Sequence, residues 1–190
     1  GIGPGATQGS EITSPLLDYW EDNGLYAAEH GELGERVAQL ATLPLFEEPG
    51  TRWRYGWSAD VLAAIIEKVT GENIETVMRA RVFDPLGMAN TRYEPDPDDR
   101  THLATVYTQD KDGELVLAPL KHAPQFNPGG GGLVSTVGEY LRFALMLYNG
   151  GEYRGTRILQ RATVDDMTRL HVPDGVLADT GMKGLGWGLG

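Results

Sequence analysis

Thr42-Leu43-Pro44-Leu45-Phe46-Glu47-Glu48-Pro49-Gly50-Thr51-Arg52-Trp53-Arg54-Tyr55-Gly56-Trp57-Ser58 is the stretch on which the reading of this chain turns. Ahead of it, Val37, Leu40 and Ala41 recur at helical spacing from Leu33, and Pro44 stops that helix because proline has no N–H to donate. Pro49-Gly50 is a turn, and Arg52 to Tyr55 reads as a short extended segment. Ser58 carries the side chain of a helix N-cap, and Asp60 falls in the first turn, where the helix dipole is positive. Behind them Val61, Leu62, Ile65, Ile66 and Val69 make a broad apolar face on a helix from Ala59 to Thr70, with Gly71 as its stop.

The same signals extend in both directions. Ser14 as N-cap, Pro15 at the first helical position and Gly24 beyond Asn23 mark a short helix near the start. Asn73 caps a helix from Ile74 to about Val82 that Pro85 ends. Ala104–Thr108 and Glu114–Ala118 alternate around Asp110-Lys111-Asp112-Gly113, the pattern of a hairpin. Gly129–Gly132 leads to Thr136, which with Glu139 forms a capping box. The helix after it places Tyr140, Phe143, Ala144 and Leu147 on one face and ends at Asn149-Gly150-Gly151. Thr163 caps a last helix carrying Val164, Met167 and Leu170. Five or six helices and a few short strands make the fold class mainly α.

Composition removes several functions. The 190 residues carry a net charge of −11, which excludes a nucleic-acid binder working by phosphate neutralisation and opposes an anionic membrane surface. Residues 1–50 hold nine acids and one base, which reads as a solvated acidic surface in preference to the functional alternative, a wall that repels anionic ligands. With no cysteine there is no disulfide scaffold, no zinc ribbon and no thiol nucleophile. No apolar run approaches the roughly 18 residues of a membrane helix. The chain opens Gly1-Ile2-Gly3-Pro4 and closes on a glycine-rich run from Gly184 to Gly190, so it is expected to be an internal piece of a longer protein, of unassigned compartment and oligomeric state.

Most candidate chemical motifs dissolve on inspection. None of Ser10, Ser14, Ser58 and Ser135 has Lys three residues on. Gly56-Trp57-Ser58-Ala59-Asp60 is one residue short of a Gly-x-Ser-x-Gly nucleophile elbow, and the N-cap reading of Ser58 is preferred. His30, His102, His122 and His171 have no metal-site spacing. Gly129–Gly132 lacks the Lys-Ser/Thr of a phosphate loop and reads as a tight backbone crossing where a side chain would clash.

The combination that carries chemistry is the Pro49-Gly50-Thr51-x-Trp53-x-Tyr55 frame with the helix behind it, then Val82-Phe83-Asp84-Pro85-Leu86-Gly87-Met88, then Gly130-Gly131-Gly132-Leu133-Val134-Ser135-Thr136 with Tyr140-Leu141-Arg142-Phe143. In this order the motifs resemble the serine β-lactamase superfamily, in its branch of class C β-lactamases, family VIII carboxylesterases and DD-peptidases. The resemblance covers residues 36–190 of a single partial domain, and residues 1–35 match only loosely. It implies the helical domain, with the adjoining edge of an α+β fold of the β-lactamase/transpeptidase type, and neither metal nor organic cofactor.

The resemblance also assigns roles. The family works with a Ser-x-x-Lys box, a Tyr box and a Lys/His/Trp-x-Gly box, and the Tyr box aligns with Tyr55-Gly56-Trp57. It implies that Tyr55 is catalytic and relays the proton of the nucleophilic serine, since a serine hydroxyl attacks poorly until a neighbour accepts its proton. The first box and the third box are absent from these residues, and Trp187 in Gly186-Trp187-Gly188 reads as structural. β-Lactamases of the branch carry Asn two residues after the Tyr. Here that position is the substrate-binding candidate Trp57, which favours a small carboxylic ester over a lactam. The expectation is part of a serine hydrolase acting through an acyl-enzyme, inactive as 190 residues alone. The alternatives are a β-lactamase or D-Ala-D-Ala carboxypeptidase, and a non-catalytic binding protein on the same scaffold.

Overall fold

The computed structural model describes Tyr19, Asp22 and residues 32–53, 56–95, 99–118 and 126–177. Helix α1, Leu33–Leu40, buries Leu33, Arg36 and Leu40, which share one stripe at helical spacing. The helix expected at Ser14–Asn23 lies outside the described residues but for Tyr19 and Asp22. Thr51 and Arg52 form bends, Trp53 N–H donates to Val176 O at 3.0 Å, and residues 54 and 55 of the expected extended segment lie outside the described residues.

Helix α2, Ser58–Thr70, corrects two expectations. Its N-cap is Trp57, with φ −78° and ψ 10° and no side-chain cap bond, so Ser58 is the first helical residue and not the cap. The buried face is not the broad apolar one. Asp60 and Ala63 are buried, whereas Leu62, Ile65 and Val69 are more than half exposed. Close approach of another backbone requires a small residue, and Ala63 supplies it. Gly71 ends α2 in the left-handed region at φ 73°, as its position foretold.

Asn73 caps α3, Ile74–Met78, as expected, its Oδ1 accepting from Thr76 N–H at 2.8 Å. Pro85 does not end this helix. The chain widens into a π turn at Arg79–Phe83, with Asp84 N–H donating to Arg79 O, and continues as α4, Asp84–Leu86. The widened turn carries the helix into a segment where proline lacks an N–H, and Gly87 then stops it at φ 68°.

After a 3₁₀ turn at Asp99–His102, β1 (Tyr107–Gln109) and β2 (Leu115–Leu117) form the anticipated hairpin, pairing Tyr107 with Leu117 and Gln109 with Leu115. Asp110 Oδ1 closes its turn by accepting from Asp112 N–H and Glu114 N–H. Helix α5, Val137–Tyr148, has the Thr136 cap expected of it, Oγ1 accepting from Glu139 N–H at 3.3 Å. Its inner face is rotated from the expected one. Glu139 and Met146 are buried with Phe143 and Leu147 in the core, whereas Tyr140 and Ala144 are exposed. A second ribbon, β3 (Glu152–Tyr153) with β4 (Thr156–Arg157), precedes α6, Arg161–Thr168, whose N-cap is Gln160 rather than Thr163. Of its expected apolar set Val164 is buried and Leu170 is exposed beyond the helix end.

The core falls into three clusters. Leu40 and Leu43 gather Phe46, Trp57 and Val61. Leu33, Ala63 and Ile74 gather Val37, Tyr93 and Phe126. Phe83, Leu86, Met88 and Met146 join the π turn and α4 to α5 and the second ribbon. Gly129 joins the region around the second cluster to the glycine loop. A Cβ there would lie 2.1 Å from Ala59 O and 2.8 Å from Ala63 Cβ, so the sequence reading of a tight crossing holds at this residue.

Gly129→Ala is therefore expected to lower stability by about 1–3 kcal/mol, because backbone cannot yield as a side-chain tip can. Gly131→Ala, which meets nothing within 4 Å, is expected to stay within about 0.5 kcal/mol of the parent chain. Urea midpoints of the two variants check this. Equal midpoints would refute the crossing.

Candidate functional site

Tyr55 and Arg54 lie outside the described residues, and so does the Gly186-Trp187-Gly188 stretch. The structure describes the Tyr box from Gly56 onward. Trp57, at the head of α2, is half-buried and packs on Leu40 and Leu43. The guanidinium of Arg36 sits 5.5 Å from the Trp57 ring centroid and 5.1 Å from that of Phe126, so one planar cation bridges two aromatic rings. These three residues come from three segments: α1, the turn before α2, and the end of the long connection into the glycine loop.

Asp60 completes this layer. It is buried at 7% exposure, and its Oδ1 accepts from Gly129 N–H at 3.0 Å. Burial lowers the pKa of the Arg36 guanidinium, and the negative charge of Asp60 opposes that shift. The carboxylate next to Ser58 thus serves the Gly129 amide and the Arg36 charge, which answers the elbow reading of Gly56-Trp57-Ser58-Ala59-Asp60: Ser58 is an exposed first-turn residue.

The glycine loop is fixed from the other side as well. Tyr93 Oη donates to Pro128 O at 2.8 Å, and Arg92 and Val134 exchange backbone hydrogen bonds at 3.1 and 2.9 Å. Burial, joined by the negative charges of Glu75, Asp60 and Glu67, pushes the Tyr93 hydroxyl up to about 12, so it stays a donor. Behind the bridge lies a buried polar knot. Glu139, 4% exposed, accepts from Asn90 N–H at 3.0 and 3.1 Å, from Asn90 Nδ2 at 2.8 Å and from Thr91 Oγ1 at 2.7 Å. Thr91 Oγ1 also meets Ser135 Oγ at 2.7 Å. Glu139 therefore forsakes the return half of the capping box and reaches across to the 88–92 turn. Burial alone would raise its pKa. The hydrogen bonds from Asn90 and Thr91 and the charge of Arg142 outweigh that and hold it below the usual glutamate range.

A cavity of about 490 Å³ opens beside this layer, with Glu32, Glu67 and Glu72 among its lining residues and Phe126 shared with the Arg36 stack. Glu67 Oε1 is already engaged with Ile74 N–H at 2.9 Å. The sequence reading missed Arg36, Tyr93, Phe126 and the partners of Glu139. A signal existed for Arg36, whose place between Leu33 and Leu40 on one helical stripe puts a cation on a buried face. For the others, partners 35 to 90 residues away left no local trace.

A family model described as Beta-lactamase matches residues 11–190. Protein Rv1367c of Mycobacterium tuberculosis is 37% identical over 133 residues, 67% of this chain and 33% of that protein. Lovastatin esterase of Penicillium rubens is 31% identical over 167 residues, 83% of this chain and 40% of the esterase. The solved structure of EstCE1, a hydrolase with promiscuous acyltransferase activity, superposes with a TM-score of 0.72 at 27% identity, over 90% of this chain and 49% of that one. The chain spans less than half the length of each of these relatives.

The Glu139 knot gives the site a definite pH response. A carboxylate whose pKa is lower folded than unfolded adds stability that is complete above the unfolded glutamate value of about 4.3 and is lost as the pH falls through the folded value. Glu139→Gln presents an amide where donors converge. We expect it to cost roughly 1–3 kcal/mol at pH 7, with the gap to the parent chain closing as the pH is lowered through and below the glutamate range. Urea unfolding across that range reads it, and a gap independent of pH would contradict the lowered pKa.

Proposed function

Since the chain belongs to the Beta-lactamase family, we propose that it is part of a serine hydrolase that acts through an acyl-enzyme on small carboxylic esters, with Tyr55 relaying the proton of the nucleophile and Trp57 lining the acyl site. Its fold is helix-rich with a few short strands and is of the β-lactamase/transpeptidase type. No helix among the described residues is long and apolar enough to cross a membrane.

The observation that carries the ester reading is Trp57, in the place where lactam-cleaving members of the branch have Asn. An indole offers an apolar wall and one N–H donor and lacks the carbonyl acceptor of Asn. A lactam side-chain amide would be left without that acceptor, whereas an acyl chain gains contact area. The names of the matched relatives, an esterase and a hydrolase with acyltransferase activity, support the same direction. In the proposed reaction a serine oxygen attacks the ester carbonyl, its proton passes by way of Tyr55, and the alcohol leaves as the acyl-serine forms. Water then releases the acid and restores the serine. The Ser-x-x-Lys box that supplies the nucleophile is not among these 190 residues, so by themselves they form no acyl-enzyme. No metal or organic cofactor enters this chemistry.

Two outcomes follow for a polypeptide that carries these residues together with a Ser-x-x-Lys box. Tyr55→Phe keeps the ring and removes the proton relay, so kcat is expected to fall about 10²–10⁴-fold with the melting temperature held. Near-full kcat would make Tyr55 a packing residue. The parent enzyme is also expected to hydrolyse short-chain p-nitrophenyl esters better than a chromogenic cephalosporin, and Trp57→Asn to move the ratio of the two kcat/KM values toward the cephalosporin by roughly ten- to a hundredfold. A parent that prefers the cephalosporin, or a variant that loses both activities alike, would count against Trp57 as the selector.

A further inference from the structure

We infer that Arg36 is a positioning residue for Trp57: by lying over both the Trp57 and the Phe126 rings it sets the plane of the indole that faces the acyl group. The inference rests on the reading of Trp57 given above and names the residue through which that site is held.

The argument begins with cost. Arg36 is 6% exposed, and removing a cation from water is expensive even with a counter-charge nearby. A buried charge pair contributes little net stability compared with apolar residues of the same volume. An apolar side chain would fill this site at least as well, since Leu33, Leu40, Val37 and Trp57 already surround the region with hydrocarbon. What an apolar residue cannot supply is orientation. A guanidinium is flat, remains charged and attracts ring faces, so it can engage two aromatic rings at once, here at 5.5 and 5.1 Å from their centroids. A lysine ammonium is a point charge and fixes no plane.

The neighbours make the arrangement stiff. Asp60, in the first turn of the helix that Trp57 caps, sets a negative charge near Arg36 and is itself pinned by Gly129 N–H at 3.0 Å. Phe126 stands three residues before Gly129. Both the anion and the second ring therefore belong to frames joined to the glycine crossing, and Trp57 is the member of the stack that belongs to the Tyr box.

The test uses the polypeptide that also carries the Ser-x-x-Lys box, labelled with 5-fluorotryptophan, with the Trp57 fluorine resonance assigned by Trp57→Phe. In Arg36→Met that resonance is expected to shift or broaden, and KM for a medium-chain p-nitrophenyl ester to rise about 3- to 30-fold with kcat nearly unchanged. Arg36→Lys, which retains the charge facing Asp60, is expected to hold the unfolding midpoint and yet to leave the Trp57 resonance displaced. A merely structural Arg36 would move the midpoint and leave both the resonance and the KM of the folded fraction in place, and that result overturns the inference. Should Arg36→Met not fold, the same two readouts on Arg36→Lys decide the question. Trp57→Ala separates the two readings. If it leaves the ester preference intact, the acyl-site role of Trp57 fails, while the Trp57 fluorine resonance of the Arg36 variants, in which the indole is retained, still reports whether Arg36 orients the ring.

Discussion

The contact between Gly129 and the first turn of α2 is the constraint on which the rest of this structure depends. A glycine backbone lies so close to Ala59 and Ala63 that no Cβ fits, and its N–H is spent on Asp60. Two consequences follow at once. The helix must bury its small and acidic face rather than its apolar one, because only Ala63 and Asp60 permit that approach. The carboxylate so buried then needs both a donor and a positive charge near it, and Gly129 and Arg36 provide them. Helix α1 is thereby committed to presenting a cation inward, in the stripe otherwise made of Leu33 and Leu40.

The far side of the glycine loop is held by equally polar means. Glu139 gathers four hydrogen bonds from two residues, and Thr91 passes the network on to Ser135. Tyr93, next but one to Thr91, ties Pro128. The segment from Pro128 to Ser135 is thus bracketed by Asp60 at its start, Tyr93 at its waist and the Thr91–Glu139 knot at its end. Buried polar groups satisfied on every side specify one geometry and tolerate few others. Apolar packing sets how much of the chain is buried. These polar brackets set where the loop lies against the helix that follows the Tyr box.

Much of the fold was legible because its signals are local. Asn73, Gly71, Thr136 and the Asp110–Gly113 turn each act within four residues of themselves, and each stands where the sequence placed it. The misplacements have a common cause. Ser58 and Thr163 have capping side chains, and the helices nonetheless begin at Ser58 and Arg161, since tertiary contacts chose where the first turn closes. Pro85 was read as a stop by its missing N–H, and a π turn ahead of it carries the helix to Leu86. The apolar face of α2 was read from hydrophobicity alone, and the demand for a small residue at the crossing overrode it. At the site, Trp57 was singled out by type and position as a candidate. The stack that holds it was not, because Arg36 and Phe126 stand 21 and 69 residues from it.

That distance bears on how specificity arises in such a chain. On the proposed function the residue that faces the acyl group owes that role to its place in the Tyr box, whereas, on the inference for Arg36, it owes its orientation to residues outside that motif. Cation and ring attract through a field that falls off with separation and tilt, so a change of side chain at position 36 or 126 acts on the angle of the indole without altering the indole itself. Packing on Leu40 and Leu43 limits the inward travel of Trp57, and the stack limits its rotation. On that proposal, two chains with the same Tyr-Gly-Trp sequence offer acyl groups different walls, and the difference is to be sought in α1 and in the connection that ends at Phe126.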